Sequence, residues 1–331
     1  MSVRRFAAGL VVVLATVWAC AALWIDGPEA RAVAGLLAGG LALAVVAAFA
    51  LLRPVRRAAV AWALLFGGVA LWWSSLAPSN ERDWLVDVSR SPSAAFDGNR
   101  VTIRNVRNFD YRSESDYSER WEERTLDLSK IRGVDLFLSY WSGPYIAHTI
   151  ASWDFEDGPP LAISIETRKE AGEEYSSILG FFRQYELYYV VADERDLVGL
   201  RTNHRGEDVY LYRIGMPPER ARALLIDYLE VINGLAEQPR WYNALTQNCT
   251  TTIRHHVQQV APDNPWDWRI LVNGLLDRAA YERGTIQTDL PFDELRTRSN
   301  IVARARSSGT GSDFSERIRA GLPARPAARP R

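Results

Sequence analysis

Apolar residues form three long runs at the start of the chain, and short alternating runs follow them. The long runs extend from about Phe6 to Trp24, Ala32 to Leu52 and Ala58 to Leu76, without a charged side chain inside them. Each is close to the ~20 residues that a helix needs to cross a bilayer core of ~30 Å. The pattern predicts a membrane anchor over residues 1–79, with transmembrane helices at about 6–24, 32–52 and 58–76.

The flanking charges predict the orientation of this anchor. Arginines precede the first run and separate the second from the third, whereas the first connection carries Asp26 and Glu29 against a single arginine. Because positive residues favour the cytoplasmic side, we expect a cytoplasmic N-terminus in the inner membrane and an exported, periplasmic remainder. The alternative is a cleaved signal peptide ending near Cys20; we favour the interpretation of Cys20 as an ordinary residue of a membrane helix.

Mixed charge and many aromatic residues begin at Asn80 and predict one folded domain over residues 80–303. Alternation and β-branched content predict seven strands within it. They cover Arg100–Val106, Val134–Tyr140, Tyr145–Phe155, Leu161–Thr167, Tyr185–Ala192, Leu197–Thr202 and Asp208–Ile214.

Helical spacing follows the predicted strands. Apolar residues recur every three or four positions over Pro217–Glu237, and a second helix is expected from Asn248 to Pro262. We therefore expect an α+β fold: three transmembrane helices, then a mostly antiparallel sheet with helices packed on it. Residues 304–331 are rich in Arg, Ala and Pro, and this composition predicts a disordered tail.

Charge and metal-ligand counts exclude several classes of function. The net charge of −1 argues against a nucleic-acid binder, which needs a basic face. With two Cys and four His in 331 residues, no zinc-ligand spacing occurs. The acidic runs lack the ligand spacing of a calcium loop. We expect neither a metal nor another cofactor.

Cys249 is the one cysteine of the predicted exported domain, so it has no partner there for a disulfide. It is either a packing residue or a reactive thiol. Polar residues surround it, and it opens a predicted helix, whose unpaired N–H groups would stabilise a thiolate and an oxyanion. The candidate substrate or oxyanion residues are Asn248, Thr250, Thr251 and Tyr145.

His148 is the candidate base. It lies within the apolar strand 145–155, where a buried imidazole needs a polar partner, although a satisfied core histidine is the alternative. His255 and His256 follow Cys249 by six and seven residues, and His256 lies about 10 Å along the helix axis from it, too far for direct proton transfer. His204 is expected in an exposed turn.

A third group should hold the imidazole in one tautomer. Ser164 and Glu166 share one face of the next predicted strand, and an antiparallel hairpin would place either beside His148. Glu166 is the first choice and Ser164 the second; the alternative is that Glu166 pairs with Arg168 or Arg183.

Four aromatic residues near Cys249 are expected either to flank an acyl groove or to be core: Trp241, Tyr242, Trp266 and Trp268.

Five collinear segments carry a resemblance to a known family. They are Phe137–Trp141, Ile146–Thr149, Ile163–Glu170, Phe182–Leu187 and Asn248–Thr251. Together they resemble the domain named after the N-terminal periplasmic region of the lipoprotein N-acyltransferase Lnb, over roughly Asn105 to Val260. The order of His before Cys is also similar to the permuted papain-like group, which includes relatives of lecithin:retinol acyltransferase and NlpC-type enzymes.

The resemblance implies thioester chemistry, with Cys249 as nucleophile, His148 as base and then acid, and a phospholipid or lipoprotein as substrate. Two alternatives stay open: a cell-wall peptide amidase or peptidase of NlpC type, and a non-catalytic envelope module.

Overall fold

A computed structural model describes residues 3–263, 265–287, 289–309 and 311–327. The chain divides into two units. The first comprises residues 1–79 and 175–186, and the second comprises residues 80–174 and 187–331.

The first unit is built on three apolar helices, α1 (Val3–Ile25), α2 (Arg31–Leu51) and α3 (Val55–Ser75). All three are long and apolar enough to cross a membrane. The Trp73 indole N–H donates to Asp26 Oδ2 at 2.6 Å, so the C-terminal ends of α1 and α3 lie side by side. These helices confirm the predicted apolar segments.

The second unit contains an eight-stranded sheet and a separate two-stranded one. The strands are β1 (Ser93–Asp97), β2 (Arg100–Arg107), β3 (Asp110–Tyr111), β4 (Tyr117–Ser118), β5 (Trp121–Asp127), β6 (Ile131–Tyr140), β7 (Ala147–Phe155), β8 (Leu161–Arg168), β9 (Glu186–Asp193) and β10 (Asp208–Arg213). The large sheet has the order β1-β2-β9-β8-β7-β6-β10, with β5 paired to β2. Most neighbours run antiparallel, and β2 and β9 are parallel.

The helices of this unit are α4 (Glu194–Gly199), α5 (Pro218–Glu237), α6 (Cys249–Val260), α7 (Leu276–Glu282), α8 (Phe292–Ser299), α9 (Val302–Ser308) and α10 (Phe314–Arg319). Helix α5 packs on β6, and its Ala221 carbonyl accepts from the buried Trp153 indole at 2.8 Å. Helix α6 packs against α5, β7 and β8. Helices on a mostly antiparallel sheet confirm the α+β class; the further likeness to permuted papain-like folds stays a prediction.

The expected strand 197–202 is wrong. This segment is helical: α4 is followed by a π-helical turn, Leu200–His204. The Asp193 side chain begins α4 by accepting from the Arg195 amide at 2.9 Å, as an N-cap does. The β-branched and leucine content of the segment therefore reflects burial and not an extended backbone.

The expected disorder of residues 304–331 is also wrong for the described part of that segment. Phe314 and Ile318 on α10 are buried in the apolar core. Arg319 lies 2.9 Å from Asp135 and 2.6 Å from Glu194, two carboxylates that are themselves buried. An arginine of this segment thus neutralises buried carboxylates. A prediction of disorder from polar composition does not take such ion pairs into account.

Candidate active site

His148 lies near the start of β7, with a neighbouring strand on each side. It is paired with Ser139 on β6, and two residues later Ile150 pairs with Ser164 on β8. Continued by two residues, this antiparallel register brings Glu166 opposite His148. Only 16% of the His148 side chain is exposed. The hairpin therefore places both predicted orienting residues beside the imidazole.

The hydrogen bonds around this ring define its tautomer. The Ser164 hydroxyl donates to Glu166 Oε1 at 2.6 Å and lies 2.6 Å from His148 Nε2. Glu166 Oε1 is itself 3.1 Å from Nε2. A hydroxyl has one hydrogen, and Ser164 uses it on the carboxylate, so its oxygen accepts from Nε2–H. The Nδ1 atom is then the ring nitrogen left for proton exchange.

Arg201 completes this network from the π-helical turn after α4. Its Nη2 donates to Glu166 Oε1 at 2.6 Å, and the arginine is buried. Burial raises the pKa of Glu166, but the charges of His148 and Arg201 and the hydrogen bonds from His148 and Ser164 outweigh it and hold that pKa well below its usual range. Glu166 is therefore ionised, and its partners are His148 and Arg201, not Arg168 or Arg183.

Arg201 was not predicted as a site residue, because the sequence pattern favoured a strand over Leu197–Thr202. The signal was an arginine inside an otherwise apolar run, Leu197–Thr202, where a buried guanidinium requires a carboxylate.

Cys249 is the first residue of α6, as the pattern predicted. Asn248 is its N-cap: the Asn248 side chain accepts from the amides of Thr250 and Thr251, and the Thr251 hydroxyl accepts from the Asn248 amide. This capping box fixes the first turn and holds the sulfur at the positive end of the helix. Cys249 is 8% exposed.

The cap corrects the expected oxyanion donors. Asn248 Oδ1 lies 3.0 Å from the Thr250 amide nitrogen and 2.9 Å from that of Thr251, so neither amide is free to bind an oxyanion in this conformation. Asn248 itself serves as the cap. The Thr250 hydroxyl lies 3.7 Å from Cys249 Sγ. The Tyr145 side chain is 61% exposed and precedes β7.

The thiol and the imidazole lie close enough to change each other's pKa. Burial raises the pKa of Cys249, but the charge and hydrogen bond of His148 lower it more, helped by bonds from the Thr250 side chain and the Thr149 amide; the net direction is down. Burial lowers the pKa of His148, but the Glu166 carboxylate and Cys249 raise it to about 9. Both shifts act in the direction of a thiolate–imidazolium pair.

Asn273 joins the strand of the histidine to the helix of the cysteine. Its Oδ1 accepts from the Ala147 amide at 2.9 Å, and its Nδ2 donates to the Thr250 hydroxyl at 3.2 Å. The same Nδ2 lies 3.9 Å from Cys249 Sγ. Asn273 lies more than ten residues beyond the end of the predicted helix that begins at Asn248. The local sequence signal at this position is an Asn-Gly pair, which is typical of a turn.

Gly274 is required for this contact. Its amide donates to the Tyr145 carbonyl at 3.1 Å, and its own carbonyl accepts from the Tyr140 hydroxyl at 2.8 Å. A Cβ at this position would lie 2.4 Å from the Pro144 carbonyl oxygen, which is backbone. The Asn273 amide reaches Cys249 because the residue after it has no side chain.

The other histidines lie elsewhere. His255 is exposed, whereas His256 is fully buried and bridges Asp227, at 2.5 Å, and the Tyr189 hydroxyl, at 2.7 Å. It is a satisfied core histidine. The His204 ring lies 6.1 Å from the Tyr111 ring.

The four aromatic residues expected near Cys249 differ in exposure: Trp241 and Tyr242 are buried, whereas Trp266 and Trp268 are exposed.

Within the four described ranges, no three His, Cys, Asp or Glu side chains are grouped so that they could hold a metal ion. The chemistry available at this site is that of a thiol, an imidazole, a carboxylate and amide donors.

Comparison with known protein families gives a match to part of the chain. The family model of the Lnb N-terminal periplasmic domain matches residues 117–274, which include Cys249, His148, Ser164, Glu166 and Asn273. No curated protein and no solved structure matches the chain. Residues 117–274 therefore belong to the Lnb N-terminal periplasmic domain family, in a protein that three apolar helices anchor to a membrane.

Proposed function

We propose that this protein is a membrane-anchored acyltransferase that acts on lipid or lipoprotein through a thioester on Cys249. The observation that carries the proposal is the Cys249 thiol beside His148, whose imidazole is joined by hydrogen bonds to Ser164, Glu166 and Arg201. Activated nucleophile, base and orienting carboxylate form the arrangement that acyl transfer requires. A cysteine that only fills space in the core would not require this hydrogen-bond network.

In the first half-reaction the Cys249 thiolate attacks an ester carbonyl, and a C–S bond forms. The carbonyl π electrons move to oxygen and return as the C–O bond of the ester breaks. His148 Nδ1 gives its proton to the departing alkoxide, which leaves as the alcohol of a lyso-lipid. The Glu166 carboxylate stabilises the imidazolium before this step and keeps Nε2 protonated afterwards.

In the second half-reaction a primary amine attacks the thioester. Neutral His148 accepts the proton of the amine at Nδ1, an amide bond forms, and the C–S bond breaks to return the thiolate. Water in place of the amine gives the free acid instead. Which acceptor enters decides whether the enzyme is a transferase or a hydrolase.

The oxyanion of each tetrahedral intermediate needs donors close to the sulfur. Asn273 Nδ2, at 3.9 Å from Sγ, is the side-chain donor that we assign to this role. The Cys249 amide is the second: none of the hydrogen bonds of the described residues uses its N–H. Thr250 Oγ1, which accepts from Asn273, orients the amide group.

The anchor and the family match support a lipid substrate. Three membrane-crossing helices confine the protein to the bilayer, where acyl esters are concentrated. We propose the inner membrane, with the N-terminus in the cytoplasm and the second unit in the periplasm, because arginines flank the predicted cytoplasmic ends.

A reconstitution assay tests the proposal. The full chain in nanodiscs of diacyl phospholipid receives a peptide amine as acceptor, and mass spectrometry measures lyso-lipid and acylated peptide. We expect both products from the native chain, and neither from Cys249→Ala or His148→Ala. Cys20→Ser is the matched control, because that cysteine lies in α1 and should not affect either product.

Two outcomes would contradict the proposal. Lyso-lipid formation that survives Cys249→Ala would exclude the thioester. Release of peptidoglycan fragments by the native chain, with intact phospholipid, would identify a cell-wall amidase or peptidase instead.

A further inference from the structure

The segment between β8 and β9 carries an apolar surface that the thiol chemistry does not use. Residues 175–182 have no charged side chain, although acidic residues precede them and Arg183 follows them. Three of their large side chains point outward: Tyr175 is 44% exposed, Ile178 70% and Phe181 46%. Phe181 ends a short 3₁₀ turn, Leu179–Phe181, Ile178 directly precedes that turn, and Tyr175 lies three residues before Ile178.

The same segment is fastened from within, so the exposed side chains are held in place. Phe182 and Tyr185 are buried. The Ser176 amide donates to the Tyr185 hydroxyl at 3.1 Å, and the Tyr175 ring stacks on Tyr185 with centroids 6.3 Å apart. Apolar side chains that point outward from an ordered turn indicate a contact surface.

The segment is joined to the ends of the membrane helices. The Arg183 amide donates to Asp26 Oδ1 at 3.1 Å, and Gln184 Nε2 donates to the same oxygen at 2.9 Å. The Arg183 guanidinium lies 4.2 Å from the centre of the Trp73 ring. Asp26 directly follows α1, and Trp73 is in the last turn of α3.

These contacts fix the level of the segment relative to the bilayer. A helix rises 1.5 Å per residue, so the 21 residues of α3 span about 32 Å, close to the ~30 Å of hydrocarbon. The ends of α1 and α3 therefore lie at the boundary between hydrocarbon and headgroups, where tryptophan is favoured. Side chains held beside those ends lie at the same boundary.

We propose that residues 175–182 form an interfacial loop whose Tyr175, Ile178 and Phe181 insert into the headgroup–acyl boundary of the bilayer. The partner is the lipid surface itself. An uncharged turn with aromatic residues at both ends suits that boundary, where the apolar side chains leave water.

Site-directed fluorescence on the full chain in nanodiscs tests this. With Cys20 and Cys249 replaced by serine, a single cysteine is introduced by Ile178→Cys and labelled with an environment-sensitive dye. We expect strong quenching by lipids labelled near the headgroup, and iodide quenching several-fold weaker than at the water-exposed control Ser115→Cys. Leu43→Cys, on the lipid-facing side of α2 at 70% exposure, is the membrane control.

Phe181→Cys provides a second labelled site should the first variant fold poorly, and it should give the same pattern. Iodide quenching equal to that at Ser115, without lipid quenching, would overturn the proposal. So would protection from both quenchers, which would show that a protein surface and not lipid covers the turn.

Discussion

Replacing His148 by alanine should raise the pKa of the Cys249 thiol. The imidazolium charge and its hydrogen bond are the leading causes that lower this pKa, and they act against burial, which raises it. Without them a thiol that is 8% exposed keeps only the cost of burial and the bonds from Thr250 and Thr149. We expect its pKa to return to the ordinary cysteine range or to rise above it.

The size of the effect follows from the thiolate fraction. A thiol with a pKa of ~8.5 is only about 3% thiolate at pH 7, and the thiolate is the reacting species. Alkylation of Cys249 at pH 7 should therefore slow by about tenfold or more in His148→Ala, even though a more basic thiolate is a better nucleophile.

The assay is the rate of carbamidomethylation by iodoacetamide between pH 5 and pH 10, read by mass spectrometry on the peptide containing Cys249. Cys20→Ser serves as the background, and His255→Ala is the matched control because that histidine is exposed. A midpoint at or above the ordinary cysteine value in the native chain would refute the reasoning. So would superimposable profiles for the native chain and His148→Ala.

Four further outcomes follow from the structure. The alkaline limb of the activity profile should fall near pH 9, where His148 loses the proton that the leaving group needs, and a variant at its carboxylate, Glu166→Gln, should shift this limb to lower pH because the main cause of the raised pKa is gone; an unshifted limb would contradict this. Asn273→Ala should slow acyl transfer ~10²–10³-fold, as loss of an oxyanion donor does, with the Cys249 alkylation profile nearly unchanged; unaltered transfer would exclude Asn273 from that role. Gly274→Ala should lower the free energy of unfolding in denaturant titrations by about 1–3 kcal/mol, because the new Cβ meets backbone atoms, and equal stability would contradict the clash. Phe314→Ala should cost about 3–5 kcal/mol in the same titration, since the ring is 1% exposed, whereas a disordered tail would show no change.

Local signals in the sequence were sufficient to predict the structural positions of Cys249 and of the residues beside His148. An Asn-Cys pair before a helical pattern indicates a capped first turn, and the capping box at Asn248 confirms that position. Strand alternation placed Ser164 and Glu166 on one face, and the antiparallel register of β7 and β8 brings that face to His148.

The remaining site residues depend on contacts that are distant along the chain. Arg201 reaches Glu166 only because β8 and the turn after α4 lie side by side. Asn273 reaches Cys249 from a short 3₁₀ helix 24 residues later. No local pattern encodes such pairings, since they follow from the packing of whole elements. The sequence also could not show which backbone amides are free to bind an oxyanion. The Asn248 side chain accepts from the two N–H groups that an uncapped helix end would leave unpaired.

The ordered tail shows the same limit for the fold. A segment rich in Arg, Ala and Pro is polar by composition, yet Arg319 and Arg325 pair with Asp135, which is fully buried on β6. The acid that makes these arginines structural is more than 180 residues away along the chain.

The most direct test of the central claim is the mass of Cys249 after the full chain has been incubated with diacyl phospholipid and quenched in acid. The account predicts one added acyl chain on the peptide that contains Cys249, released by neutral hydroxylamine as a thioester is, and absent from His148→Ala. An unmodified Cys249 in a preparation that nevertheless forms lyso-lipid would contradict it.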